Sequence, residues 1–324
     1  MQPLRAIALK VISVVVFFAM ATLIKLTSDR IPPGEAVFFR SAFSIPVIVV
    51  WLVWLGEWPR GLKTSMPMGH VWRGVIGTTS MALNFTALGL LSLPEATIIG
   101  YAAPILTVVL AAMFLGEEIR AFRISAVILG LCGVIIVMAP RLTLGGDEVG
   151  LREALGATVA FGGALFAALA QVQVRRLVAT EHTAAIVFWF LTTAALLSLL
   201  TLPWGWAMPG PGLFALLVLT GLLGGTGQIL LTASYRYADM SVIAPFEYAS
   251  ILLALVVGWL VFAEVPTLPM LVGAAIVILA GFIILWRERR LGLDRARATQ
   301  GVGGQVAAPV LSPADAGRPA QDRR

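Results

Sequence analysis

Ten runs of mostly apolar residues follow one another along this chain, at 6–26, 34–55, 70–91, 95–115, 121–140, 152–175, 183–203, 212–236, 240–262 and 267–286. Each is close to the roughly 20 residues that a helix needs to cross a bilayer. A soluble domain of this length could bury a core but would still need a polar surface. With 59% hydrophobic and 12% charged residues, the sequence cannot supply one, so lipid has to be the outer solvent. The expected fold is an all-α polytopic membrane protein with ten transmembrane helices.

The breaks between runs carry turn and charge signals: Pro32-Pro33-Gly34, Pro59-Arg60-Gly61, Gly116-Glu117-Glu118, Gly145-Gly146-Asp147-Glu148 and Pro209-Gly210-Pro211-Gly212. Arg5 and Lys10 before Ala19-Met20-Ala21 would pass for a signal peptide. Nine further spans follow, so a retained first helix is the simpler account. The Pro-, Gly- and Ala-rich stretch 287–324 is expected to be a disordered basic tail.

Loop charge orients the spans. With the N-terminus in the cytoplasm, inner segments hold 13 Lys and Arg before the tail is counted, against Arg30, Arg141 and Arg152 outside. This positive-inside bias predicts cytoplasmic termini. It also accounts for the net charge of +6 through anionic lipid rather than nucleic acid.

Residues 98–117 and 245–264 resemble each other without gaps: Tyr101 meets Tyr248, Ala102 meets Ala249, Leu106 meets Leu253, Val109 meets Val256 and Glu117 meets Glu264. Each stretch is the fourth span of a five-span half. Because five is odd, the second half enters the membrane upside down, as in carriers whose substrate site lies near the midplane between inverted repeats. Tyr101 and Tyr248 approach that midplane from opposite faces.

Ionisable side chains inside the bilayer are functional candidates by default. Glu247 is either a contact for a substrate cation or coupling proton, or half of a structural pair with Arg40. Arg40 either holds a carboxylate or phosphate in bidentate fashion or partners Glu35 or Glu247. Asn84, Gln171 and Gln228 offer amides to a heterocycle edge or to a neighbouring helix. Tyr101, Tyr248 and Trp189 offer flat faces to an aromatic or cationic ligand; Trp189 also suits an interface position. Lys25, at a span end, is expected to snorkel. The lone Cys132 and the two histidines, His70 and His182, provide for neither a disulfide nor a metal site, and no cofactor is expected. There is no phosphate-binding Gly-x-x-x-x-Gly-Lys-Ser/Thr run, and no catalytic Asp lies near either histidine, so an enzyme is not expected.

Several stretches carry a family resemblance: Glu35-Ala36-Val37-Phe38-Phe39-Arg40, Arg73-Gly74, Pro104 with Gly116-Glu117, Ala244-Pro245-Phe246-Glu247-Tyr248, and Phe262-Ala263-Glu264-Val265-Pro266. Together they resemble the EamA type of the drug/metabolite transporter superfamily. The departures are Ile251 where the first copy has Pro104, and Ala263 where it has Gly116. The resemblance implies two inverted five-helix EamA repeats, 6–140 and 152–286, joined by a periplasmic linker at 141–151. It also implies a multi-pass protein of the cell inner membrane, monomeric or homodimeric, that moves a small-molecule substrate with proton or exchange coupling. The patterns look most like the branch with S-adenosylmethionine and riboflavin uptake carriers; export of amino acids or drugs is the alternative.

Overall fold

The computed structural model describes residues 3–115, 121–143, 148–178, 180–237 and 244–303. The described elements are all helical: α1 (Pro3–Thr27), α2 (Pro33–Trp54), α3 (Pro67–Leu90), α4 (Leu93–Gly100), α5 (Ala102–Leu115), α6 (Ala121–Thr143), α7 (Glu148–Val178), α8 (Thr183–Ser198), α9 (Pro211–Tyr237), α10 (Ala249–Phe262) and α11 (Leu268–Gly303). Short 3₁₀ turns occupy Arg60–Leu62, Leu199–Trp204 and Ala244–Tyr248. Seven helical spans among the described residues are long and apolar enough to cross a membrane, one running through α4 and α5 and one through α8 and the 3₁₀ turn after it, with shorter apolar helices at Phe246–Phe262 and Leu268–Ile284. The remaining crossing is the 24-residue α3, which carries Arg73, Ser80 and Asn84.

Two units are distinguished, Met1–Leu285 and Trp286–Arg324; the packing below is that of the first. The sequence places a disordered tail at 287–324. Residues 287–303 are instead helical, in keeping with the strong helix formers Arg, Leu and Ala between Arg287 and Ala298. Residues 304–324 lie outside the described residues.

The helix neighbours show how the halves are built together. α3 packs on α7 as α1 packs on α9; α2 packs on α9 as α3 packs on α8; α5 meets α7 as α10 meets α1; and α2 faces α8 as α4 faces α10. When the first five spans exchange with the last five, the first three of these comparisons turn one pairing into the other, and the α2–α8 and α4–α10 pairings each map onto themselves. These are the contacts of a two-fold pseudosymmetric pair of inverted five-helix repeats.

Small residues set the spacing of these contacts. A Cβ on Gly221 would lie 2.4 Å from Phe43 and 2.9 Å from the Phe39 carbonyl oxygen. With hydrogen alone there, α9 comes close enough for Ser44 to hydrogen-bond the Gly221 carbonyl at 2.8 Å.

Carboxylates tie the repeats at the helix ends. Glu35 accepts from the Ala207 backbone N–H at 2.9 Å. At the pseudosymmetric turn, Glu181 accepts from the Ser65 and Met66 backbone N–H groups at 2.8 and 3.0 Å and from the Ser65 hydroxyl at 2.7 Å. It also faces His70 Nε2 at 3.3 Å. Glu181 thus receives the backbone donors of the two residues that lead into α3. Glu264 accepts from the Leu93 N–H at 2.8 Å and pairs with Lys25 at 3.1 Å. Lys25 also donates to the Leu91 and Leu88 carbonyls at 2.6 and 3.2 Å. Lys25 therefore does not snorkel; it points inward because a carboxylate and two carbonyls receive it. The first-repeat match of Glu264, Glu117, lies outside the described residues.

Candidate functional site

The fourth span of the first repeat is interrupted at Tyr101, between α4 and α5. Pro104, three residues on, has no N–H to offer the Gly100 carbonyl, so the regular ladder fails there. In the second repeat Ile251 takes the place of Pro104, and the break has a different form: a 3₁₀ turn, Ala244–Tyr248, precedes α10. Each tyrosine thus sits at a helix discontinuity, the feature that frames binding sites in inverted-repeat carriers.

The two breaks meet. The Tyr101 and Tyr248 rings stack with centroids 5.0 Å apart at 25°. The Tyr101 hydroxyl donates to the Glu247 backbone carbonyl. Its oxygen lies 2.7 Å from Ser250 Oγ, which is free to donate in return. Tyr248 lies across Gly281, where an added Cβ would fall 1.8 Å from the tyrosine hydroxyl, and it stacks on Phe282 at 6.0 Å. The Glu247 carboxylate pairs with Lys10. Lys10, counted from sequence only as a positive charge near the N-terminus, is 2% exposed.

Arg40 meets neither of the partners expected of it, since Glu247 is held by Lys10 and Glu35 by Ala207. It lines a cavity of about 330 Å³ with Arg73, Ser80, Asn84, Gln171 and Phe190. Helices of both repeats form its walls. The Arg73 guanidinium lies 4.0 Å from the Phe190 ring centroid and that of Arg40 lies 6.0 Å from it. Asn84 donates to the Ser80 carbonyl at 2.8 Å. Arg73, which the sequence offers only as one of the inner-side positive charges and in the Arg73-Gly74 pair, and Phe190 are not among the candidates read from the chain. A signal was present: Arg73, Gly77, Ser80 and Asn84 recur at helical spacing, a polar and small stripe along one face of α3. Gly77 makes room for the guanidinium, since a Cβ there would lie 1.9 Å from Arg73 Nη1.

A second cavity of about 210 Å³ lies farther along α3, lined by Ser28, Thr86, Gly89 and Arg152 among others. Phe85 lines both cavities and is itself buried.

The eight residues singled out from the sequence therefore divide. Arg40, Asn84 and Gln171 line the larger cavity, and Tyr101, Glu247 and Tyr248 form the junction of the two helix breaks. Trp189 stands apart, donating through Nε1 to the Leu62 carbonyl at 3.1 Å. Gln228 lines a crevice of about 10 Å³ beside Trp51 and Ile229, at most the room of one water molecule.

Two inverted five-helix halves enclosing a largely apolar chamber with a few polar groups have the architecture of small-molecule transporters of membranes. The chain belongs to the EamA-like transporter family, whose model matches residues 4–139 and 154–286. A pseudopaline exporter of Pseudomonas aeruginosa is 28% identical over 275 residues, covering 85% of this chain and 93% of that protein. An S-adenosylmethionine uptake transporter of Rickettsia bellii is 27% identical over 266 residues, covering 82% of this chain and 88% of its own. A solved crystal structure, 20% identical, shares the fold at a TM-score of 0.62 over 88% of this chain and 98% of that one.

Proposed function

We propose that this protein is a secondary carrier that moves a small organic metabolite across the bacterial inner membrane by alternating access, with its termini in the cytoplasm. The observation that carries the reading is the chamber of about 330 Å³ whose walls come from both repeats. Rocking one half against the other would open it to either side in turn. Its volume is at the lower end of the range of small-molecule sites. The junction of Tyr101, Glu247 and Tyr248 supplies an aromatic and ionic contact that such a motion would remake, and Glu247 is the carboxylate through which a proton could couple. The arginine excess of the expected inner loops supports the orientation.

S-adenosylmethionine uptake is the first substrate reading, because carriers of that compound are among the relatives and the chamber offers arginine to a carboxylate and amides to a heterocycle. A riboflavin-like substrate is less well served, since it has no carboxylate for the arginines. Export is the second reading, favoured by the pseudopaline exporter among the relatives. The test is accumulation of labelled S-adenosylmethionine in proteoliposomes, in each direction and with an imposed proton gradient. Saturable flux supports the reading; flux no greater than in empty liposomes removes S-adenosylmethionine as the substrate.

A further inference from the structure

From the walls of this chamber we infer that Arg40 and Arg73 together form an oxyanion subsite that receives a carboxylate of the substrate. The inference rests on the reading of the chamber as the substrate site. Three observations point to a ligand rather than to a structural role. First, the Nε and Nη1 atoms of both arginines are buried and without a hydrogen-bond partner, and Arg40 is 8% exposed. Buried donors that no protein group receives are rare. Second, among the described residues no Asp or Glu lines the cavity. The carboxylates that might have reached in are engaged elsewhere: Glu35 on Ala207, Glu247 on Lys10 and Glu95 on Arg141. Third, the Arg73 guanidinium lies over the Phe190 ring at 4.0 Å with that of Arg40 6.0 Å from the same ring, a contact that orients Arg73 without satisfying its N–H groups.

Two like charges lining one cavity repel each other, and a buried charge without a counter-charge is strongly destabilising. The arrangement makes sense when an anion completes it. A guanidinium presents its donors in a planar fork that matches a carboxylate. One carboxylate has room for two forks, because each of its oxygens accepts more than one bond. The amides of Asn84 and Gln171 then face the rest of the molecule. The subsite sorts substrates by charge: a carboxylate-bearing metabolite enters at its acid end, and an uncharged one leaves both arginines unmatched.

The test uses the full-length protein purified in a neutral detergent, with thermal unfolding followed by tryptophan fluorescence. The probes are succinate, L-glutamate, dimethyl succinate, inorganic phosphate and phosphatidylglycerol. Stabilisation by the two carboxylates and not by the diester is expected. Arg40→Gln and Arg73→Gln should each weaken the apparent affinity at least tenfold, and the corresponding lysine variants should recover part of it. Without ligand, the glutamine variants should melt higher than wild type, by about 1–2 °C for each kcal/mol of relieved charge; a structural arginine would lower the melting temperature instead. Equal stabilisation by the diester, or an unchanged response in the double glutamine variant, overturns the subsite. Stronger competition by phosphate or phosphatidylglycerol than by carboxylates overturns the carboxylate assignment in favour of phosphate or a lipid headgroup. Carboxylate binding without any transport would refute the carrier reading and leave the subsite standing, whereas saturable transport without carboxylate binding would do the reverse.

Discussion

The Glu264 junction is a latch whose strength can be worked out and tested. Glu264 belongs to the second repeat and ties down two groups of the first, the Lys25 ammonium at 3.1 Å and the Leu93 N–H at 2.8 Å. Hydrogen bonds to charged groups contribute about 1.5–3 kcal/mol each when well buried. Lys25 and Glu264 are 12% and 19% exposed, so solvent screening reduces the pair; about 2 kcal/mol for the whole latch is a reasonable net value. Any state that opens this end must break it. Glu264→Ala should therefore raise the ratio of open to closed at this end by roughly 30-fold, at 1.4 kcal/mol per factor of ten. The assay is labelling by a membrane-impermeant maleimide of a cysteine at Thr86, which lines the smaller cavity beside the latch, in a Cys132→Ser background. The labelling rate should climb by about the same factor on Glu264→Ala, and Lys25→Met should produce a smaller rise because Leu93 keeps its partner. An unchanged rate in Glu264→Ala would refute the latch.

At the turn before α8, burial pushes the Glu181 carboxyl up, but hydrogen bonds from Ser65, His70 and Thr64 outweigh it and bring it from 4.5 down to about 2. Its folded-state value is depressed, so its contribution to stability is complete above pH about 4.5 and is lost as pH falls toward about 2. Melting curves between pH 7 and 3 should show this loss in the wild-type protein and a flatter profile in Glu181→Gln; parallel profiles would exclude the cap. Gly281→Ala should displace the Tyr248 ring and cost about 1–3 kcal/mol of stability by overpacking, visible as a lower melting temperature that Tyr248→Ala in the same chain relieves; additive losses would contradict the contact. Phe85→Ala should join the two cavities and destabilise the fold by about 3–5 kcal/mol. The expected sign is faster labelling of a Thr86 cysteine by reagent supplied from the other side, and no change would show that Phe85 does not divide the path.

The bilayer explains why so much of the fold could be read from the chain. Lipid forces apolar runs of fixed length, so the spans and their turns stand out in composition. The Tyr101 and Tyr248 match was legible as a repeat, and both residues occupy helix breaks that meet each other. What could not be read were side-chain partners across the repeats. Glu247 has Lys10 rather than Arg40 as its partner, and nothing in the spacing of residues 237 positions apart announces a contact. Arg73 counts with the inner-side charges because it lies in the first turns of α3, yet its guanidinium is drawn back over Gly77 into the chamber. Trp189 and Gln228 carry the right chemistry but face Leu62 and a crevice, since residue type alone does not say which side of a helix meets its neighbour.

Counterflow tests whether this protein is a carrier whose chamber between inverted repeats binds substrate. Proteoliposomes holding the protein and preloaded with unlabelled S-adenosylmethionine would be offered a trace of the labelled compound outside, alongside vesicles bearing Arg40→Gln with Arg73→Gln. A transient, saturable overshoot of label in the wild type, abolished in the double variant and inhibited by excess external substrate, is the predicted result. Flux that rises linearly with concentration, shows no trans-stimulation and is indifferent to the two arginines would contradict the account.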